Sequence, residues 1–454
     1  MGQPKERQDI QVKRERAVLA ACYLPGDRFD ERDPLGELRS LAETAGATVV
    51  GELMQKRDRP EAATYMGRGK VDELKAMCDE LKAAVVIFDH ELSPNQIAAI
   101  EKILEKKVID RSELILDIFA SRASTHQAKL AVELAQLEYT YPRLRAMWSH
   151  LERIVGSGGI GGVGTRGPGE QQLEIDRRIV QRKKTQLRRE LDSIHARKTR
   201  EVAHRNREHY TVGLVGYTNA GKSTLFNAST AGGAFANDQL FATLMTRTRQ
   251  WHVRGAGGEG ENVLLSDTVG FVRDLPHHLI ASFRATLEEA MHADLLLIVL
   301  DVSDPNAELH YETVVRTLDE LVRESRDSAD KTGVDYREPE RLVLLNKADQ
   351  LRDRSELAYW QSRIPGSIAF AAVDPAHAGH ADLSRRVHAL TRGRVVEVDV
   401  TVATSDGEAV SLMERRSEVL DRAYDDGAVT YRARIGERQL DQLRARGARV
   451  AEPA

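Results

Sequence analysis

The apolar positions change their period along the chain, and each change marks a different kind of structure. Up to about residue 120, short apolar runs alternate with amphipathic stretches. Ala17–Leu24 reads as a buried strand, Leu38–Ala45 as a helix, Ala47–Gly51 as the next strand and Val71–Leu81 as the next helix. Ala84–Asp89 is a further strand, rich in Val and Ile. Ser93-Pro94 then joins an N-cap residue to a proline at the first helical position. This alternation predicts an α/β unit with a parallel sheet.

A heptad pattern follows. Leu130, Leu134, Leu137, Tyr141, Leu144, Trp148, Leu151 and Val155 are spaced alternately by 4 and 3. Pro142 lies inside that seam and predicts a kink or a break. A second seam, Leu173, Val180, Leu187 and Ile194, repeats every 7 residues with Leu191 beside it. Between the seams, Ser157–Gly169 holds 7 glycines in 13 residues. Two heptad helices joined by such a loop predict an antiparallel helical hairpin with arms of about 50 Å at about 1.5 Å per residue.

From Tyr210 the βα alternation returns and runs to about Arg392. Val395–Leu443 reads as a strand, a helix at Leu412–Ala423, a strand at Ala428–Ile435 and a short helix. The expected division is a small N-terminal α/β domain (1–122), the hairpin (123–208), a second α/β domain (209–392) and an α+β appendage (393–454).

Composition narrows the function classes. The net charge of −4 over 454 residues excludes a uniformly basic nucleic-acid coat protein. The two cysteines, Cys22 and Cys78, form no CxxC pair, which excludes a disulfide framework and a thiolate zinc site and points to the reducing cytoplasm. The apolar run Leu295–Leu300 is far below the ~20 residues that cross a bilayer. No integral membrane segment is expected, and the chain is expected to be monomeric.

The chemistry lies in the second α/β domain. The strand Val212–Val215 runs into Gly216-Tyr217-Thr218-Asn219-Ala220-Gly221-Lys222-Ser223-Thr224, the GxxxxGKS phosphate-binding loop in its strand–helix context. Its backbone N–H groups turn onto phosphates, Lys222 reaches the outer phosphates and the Ser223 hydroxyl ligates magnesium. Phe241-Ala242-Thr243-Leu244 offers Thr243 to magnesium and the γ-phosphate. In Asp267-Thr268-Val269-Gly270, Asp267 holds magnesium through water and the Gly270 amide meets the γ-phosphate. Asn346-Lys347-Ala348-Asp349 follows the strand Leu342–Leu345; Asp349 accepts two hydrogen bonds from the guanine edge, a donor pair that adenine lacks. The fold expected here is therefore a P-loop GTPase domain with magnesium as cofactor and GTP as substrate; Lys222, Thr243 and Gly270 act on the reacting phosphate. Ala371-Ala372 stands where a fifth motif usually has Ser-Ala, leaving a backbone amide for the guanine oxygen. Phe271 stands where Ras-like enzymes place a water-orienting glutamine, so intrinsic hydrolysis is expected to be slow, rising when a partner completes the site.

These residues resemble the HflX family of translation-factor-class GTPases. The glycine-rich stretch Gly158-Gly159-Ile160, Gly164 to Glu170, Leu173-Glu174 and Asp176-Arg177-Arg178 is similar to the family signature. So are Tyr65 to Lys70, Asp89 to Pro94 and Val108 to Arg111 in the N-terminal domain, Ala128–Leu137 in the first long helix, and Phe271–His277 with Ala285–Glu289 after the third GTPase motif. Met245 and Arg247 depart from the usual Asp and Thr of the first switch, and Gln171 from a usual Thr. The resemblance implies a factor that binds the large ribosomal subunit and its RNA in the GTP form, separates stalled or idle ribosomes, and leaves after hydrolysis. It places the hairpin tip in the peptidyl-transferase region.

Charge patterning agrees independently. Arg177–Arg207 carries 12 Lys/Arg against 3 Asp/Glu, a net of +9, which leaves −13 for the rest of a chain totalling −4. Such asymmetry predicts an anionic partner, with Arg166, Arg177, Arg178, Arg182, Lys183 and Lys184 as candidate RNA contacts. Two other readings share the GTPase core: a ribosome-assembly factor, and a GTP-regulated protein-binding switch without RNA contact.

Overall fold

The computed structural model describes residues 15–27, 29–156, 178–194, 197, 209–230, 247–273, 290–332, 336–351, 353–393, 395–425 and 427–451, with the backbone alone for 142–156. Phe241, Ala242, Thr243, Leu244 and Met245 of the first switch, the glycine-rich tip, Arg166, Leu173 and Arg177 lie outside the described residues.

The N-terminal sheet runs β2-β1-β3-β4, built from β1 (Arg16–Tyr23), β2 (Thr48–Lys56), β3 (Val85–Phe88) and β4 (Lys107–Asp110), all parallel. Its apolar strands are sealed on both faces, as parallel sheets require. Helices α1 (Gly36–Thr44) and α4 (Arg111–Arg122) cover one face through Leu38, Leu41, Leu114 and Phe119. Helices α2 (Arg68–Glu80) and α3 (Pro94–Leu104) cover the other through Val71, Leu74, Ile97 and Ile100. Ser93 caps α3 as its sequence suggests: its side chain accepts from the Gln96 N–H while Gln96 reaches back.

Helix α5 (His126–Gly156) packs against α6 (residues 178–194) through Leu130 and Leu134 of one and Leu187 and Leu191 of the other. His126 meets Glu190, and Lys183 meets Glu133, so the helices run antiparallel. The expected break at Pro142 does not occur. Proline removes one i→i−4 bond, and the helix continues on both sides of it.

The second sheet has the order β10-β9-β8-β5-β7-β6. It consists of β5 (Thr211–Gly216), β6 (Arg247–Arg254), β7 (Gly260–Asp267), β8 (Leu295–Asp301), β9 (Glu340–Asn346) and β10 (Ile368–Ala369). Only β6 is antiparallel to its neighbour. Helices α7 (Lys222–Ser229), α8 (Ala307–Thr332), α9 (Arg354–Arg363) and α10 (Ala378–Arg392) flank it.

The C-terminal unit is βαββαβ: β11 (Val395–Ala403), α11 (Gly407–Arg416), β12 (Glu418–Asp425), β13 (Ala428–Gly436), α12 (Glu437–Ala445) and β14 (Arg449–Ala451), in sheet order β12-β13-β11-β14. The helix expected at Leu412–Ala423 is corrected here. It ends at Arg416, the Ser417 hydroxyl donates to the Met413 carbonyl, and Glu418–Asp425 pairs with β13 instead. Ladder pairing overrides the helical propensity of that stretch.

The N-terminal sheet docks on the phosphate loop through buried charge. Arg111, 2 % exposed, donates to Asp89 Oδ1 at 2.8 Å, pairs with Glu37 at 2.9 Å and donates to the Arg273 carbonyl at 3.1 Å. The Arg273 guanidinium donates to Asp89 Oδ2 at 2.7 Å. Val269 and Val272 enter the core that α1 and α4 build. Burial opposes ionisation of Glu37, but Arg111 and Arg273 together hold its carboxyl below the ordinary 4.5.

Replacing Arg111 by methionine leaves the carboxylates of buried Asp89 and half-buried Glu37 with one guanidinium, that of Arg273, between them. Arg111→Met should destabilise the N-terminal unit by about 3 kcal/mol, read from its urea unfolding transition. The pH dependence has a defined sign, because Glu37 has a depressed folded pKa. Its contribution is complete above the ordinary value of 4.5 and is lost as pH falls through the lower folded value. A wild-type transition that stays flat through acid would contradict this.

Candidate active site

The site forms at the carboxyl ends of β5, β7, β8 and β9. Strand β5 is central, between β7 and β8, so the loop that leaves it is held from both sides. Gly221 takes φ +94° at the start of α7, and a Cβ there would lie 2.2 Å from Asn346 Nδ2. Only glycine permits that approach. The α7 N-terminus then points its first N–H groups toward the loop, an arrangement suited to phosphate.

Lys222 is buried, and its Nζ donates to the carbonyls of Gly216 at 3.1 Å and Tyr217 at 2.6 Å. Burial lowers its pKa to about 8, with Asp267 pulling the other way. The Ser223 hydroxyl donates to Asp267 Oδ2 at 2.8 Å. A hydroxyl and a carboxylate at this separation, beside a phosphate-binding loop, form the hard oxygen set that fits magnesium. Thr268 Oγ1 donates to the Leu214 carbonyl at 2.6 Å and pins Asp267–Gly270 to β5. Thr218 N–H donates to the Phe271 carbonyl at 2.8 Å, and Phe271 N–H to the Gly216 carbonyl at 3.0 Å, so this segment and the phosphate loop are stitched together. The Phe271 ring is buried with Val215, Tyr217, Met291 and Ile298. It is a packing residue and offers nothing to water.

Asn346 ends β9 as a crosspiece. Its Nδ2 donates to the Ala220 carbonyl at 2.7 Å, and its Oδ1 accepts from Ala372 N–H at 3.0 Å. Lys347 adopts φ +59° and pairs with Asp301 at 2.6 Å. Ala348 N–H donates to the Phe370 carbonyl, and Asp349 stands exposed in the turn that follows. Ala371 and Ala372 are buried, and His380 lies 3.2 Å from the Ala371 carbonyl. Residues 216–224, 267–270, 346–349 and 371–372 therefore converge on one edge of the sheet, and Phe241–Leu244 lie outside the described residues.

Sequence reasoning missed the contacts beneath the loop. The Tyr217 hydroxyl donates to Glu37 at 2.7 Å and accepts from Arg273 N–H at 2.7 Å. Its ring stacks on His310 at 3.8 Å. Burial, reinforced by the Glu37 carboxylate, keeps the phenol protonated. Asp89, Arg111 and Arg273 all lay within the stretches that carried the family resemblance, which was the available signal.

The candidate RNA contacts divide. Arg178 and Arg182 share a shallow groove on the outer side of α6 with Arg189, which sequence reasoning did not name. Lys183 pairs with Glu133 at 3.1 Å, and Lys184 is largely covered between Glu138 and the Tyr141 ring. Their charge is partly spent inside the hairpin.

Two outcomes follow from this geometry. Guanosine diphosphate affinity should fall about tenfold between pH 7 and 9, because burial lowers the Lys222 pKa to about 8 and the side chain must be protonated to bind phosphate. Lys222→Arg should abolish that slope in a titration of nucleotide binding. Asn346→Ala loses both crosspiece bonds and should weaken GDP binding about thirtyfold, about 2 kcal/mol.

Comparison with known proteins places this site. Three family descriptions match consecutive stretches: GTP-binding GTPase N-terminal over residues 32–120, GTP-binding GTPase middle region over 122–207, and 50S ribosome-binding GTPase over 211–347. GTPase HflX of Lacrimispora saccharolytica is 46% identical over 310 residues, spanning 68% of this chain and 70% of that protein. GTPase HflX of Escherichia coli is 42% identical over 342 residues, spanning 75% and 74%. GTPase HflX of Akkermansia muciniphila is 36% identical over 418 residues, spanning 90% and 92%. With these identities sustained over most of both chains, and with a phosphate loop, an Asp267 segment and a guanine-type turn assembled on one sheet edge, the chain belongs to the HflX family of GTPases and hydrolyses GTP.

Proposed function

We propose that this GTPase binds the large ribosomal subunit in its GTP form, through the basic side of its hairpin, and dissociates stalled or idle ribosomes in the cytoplasm. The observation that carries the reading is the groove of Arg178, Arg182 and Arg189 on a helix whose opposite face is already packed on α5. A cationic groove on the side of α6 opposite its apolar contacts, on a chain whose remaining charge is −13, fits RNA phosphate. The matched description of a 50S ribosome-binding GTPase supports the same partner. Among the described residues, no helix is long and apolar enough to cross a membrane.

In this reading Lys222 serves the outer phosphates, and the Gly270 amide meets the γ-phosphate. Ser223 and Asp267, with Thr243, would hold magnesium, which neutralises charge between the β- and γ-phosphates. Asp349 receives the guanine edge, with the Ala372 region held beside it by Asn346. Because Phe271 is locked in the core, no side chain at that position orients the attacking water. Hydrolysis is then slow until the ribosome completes the site.

Sedimentation of intact ribosomes with this protein and a non-hydrolysable GTP analogue tests the proposal. The expected result is separate subunits with the protein on the large one, and no effect from Ser223→Ala. Intact ribosomes without bound protein would overturn it. Binding to large subunits without splitting would favour the assembly-factor reading.

A further inference from the structure

The second α/β domain and the C-terminal unit border an open polar cleft of about 530 Å³, at the end of β7 remote from the phosphate loop. That volume lies within the ~300–1,000 Å³ typical of small-ligand sites. Its walls come from the start of β7, the end of α10, the end of α11 and one turn of α12.

Some of its charges are already matched. Arg416 pairs with Glu261 at 3.0 Å, and Glu418 lies 3.8 Å from Arg434. Arg392 and Arg415 line the same cleft and have no partner among the described residues. The deeper groups are more unusual. Gln439 is 2 % exposed; its Nε2 donates to the Thr391 carbonyl at 3.4 Å, while its Oε1 has no hydrogen-bond partner. His388 is 6 % exposed, and its ring has no polar partner among the described residues. Buried acceptors are ordinarily satisfied, so an unmet one at the base of a cleft is a place for a ligand donor.

Glu259 forms the remaining wall. A Cβ at position 255 would lie 2.4 Å from Glu259 Oε1 and 2.7 Å from the His388 ring. Gly255 is what lets the carboxylate and the imidazole share this wall.

The combination is selective. The oxygens of a fully ionised phosphate ester suit Arg392 and Arg415 but offer no donor to Gln439 Oε1 or to the Glu259 carboxylate, which only accept. A ribose hydroxyl donates, and carboxylates are regular partners of ribose hydroxyls in nucleotide sites. The geometry points to a second ligand site in which this cleft takes one ribonucleotide unit: phosphate on Arg392 and Arg415, sugar hydroxyls on Glu259 and Gln439. The unit arrives either as a free nucleotide or as part of a single RNA strand, and its 2′-hydroxyl separates it from the deoxy form.

The test uses the full chain with the phosphate loop saturated by GDP, so that guanine binding elsewhere is silent. Adenosine 5′-monophosphate, its 2′-deoxy analogue and an eight-nucleotide oligoadenylate RNA are titrated by calorimetry. We expect one of the ribose probes to bind, with affinity about tenfold lower in Arg392→Ala/Arg415→Ala and in the deoxy probe. Binding of the mononucleotide assigns a free nucleotide. Binding of the oligonucleotide alone, with the same loss in the double variant, assigns an RNA strand. Gln439→Leu should weaken either, and unchanged GDP affinity verifies that each variant is folded; if Gln439→Leu fails to fold, the double-arginine variant decides. No binding to wild type, or binding equal in wild type and double variant, overturns the proposal.

Discussion

The arrangement of the molecule depends on one group of buried charges. Glu37 and Asp89 face Arg111 within the N-terminal unit, and that set carries an excess negative charge that burial penalises heavily. Arg273, from the GTPase domain, supplies the balancing cation. Neither domain is electrostatically complete by itself, so each is the other's counterion. The apolar contacts of Val269 and Val272 with the N-terminal core reinforce the join but do not specify it. Hydrophobic contact is non-directional, whereas Arg111 bridging Asp89, Glu37 and the Arg273 carbonyl admits one orientation.

That join lies beside the Asp267–Gly270 segment, which we propose meets the γ-phosphate. Arg273 lies three residues past Gly270, and its N–H is held by the hydroxyl of Tyr217, the second residue of the phosphate loop. The same Tyr217 binds Glu37. Gly270 is joined to Arg273 by two buried residues, Phe271 and Val272. The N-terminal unit is mounted on the end of the Asp267–Gly270 segment.

Much of this was legible in the chain. The phosphate loop and the guanine turn are local motifs, set by glycines and by strands that end where the motif begins, so their positions follow from order along the sequence. The base of the hairpin was legible because Leu130, Leu134, Leu187 and Leu191 repeat with the helical period. The docking cluster was not, because Glu37, Asp89, Arg111 and Arg273 lie far apart in sequence and meet only after two sheets have formed. The strand Glu418–Asp425 was hidden for a related reason: its residues suit a helix, and only β13 beside it makes it a strand. At Pro142 the expected break is absent, since one missing bond is tolerated in a helix of 31 residues.

The carbonyls that hold Lys222 also orient the start of the phosphate loop. Its Nζ donates to those of Gly216 and Tyr217, and a planar trans peptide unit that turns its C=O one way turns its N–H the other. The Tyr217–Thr218 unit shows the result: its carbonyl meets Lys222 while its N–H reaches the Phe271 carbonyl. One side chain thus sets the peptide planes at the mouth of the loop, so a change at position 222 alters the shape of the loop as well as its charge.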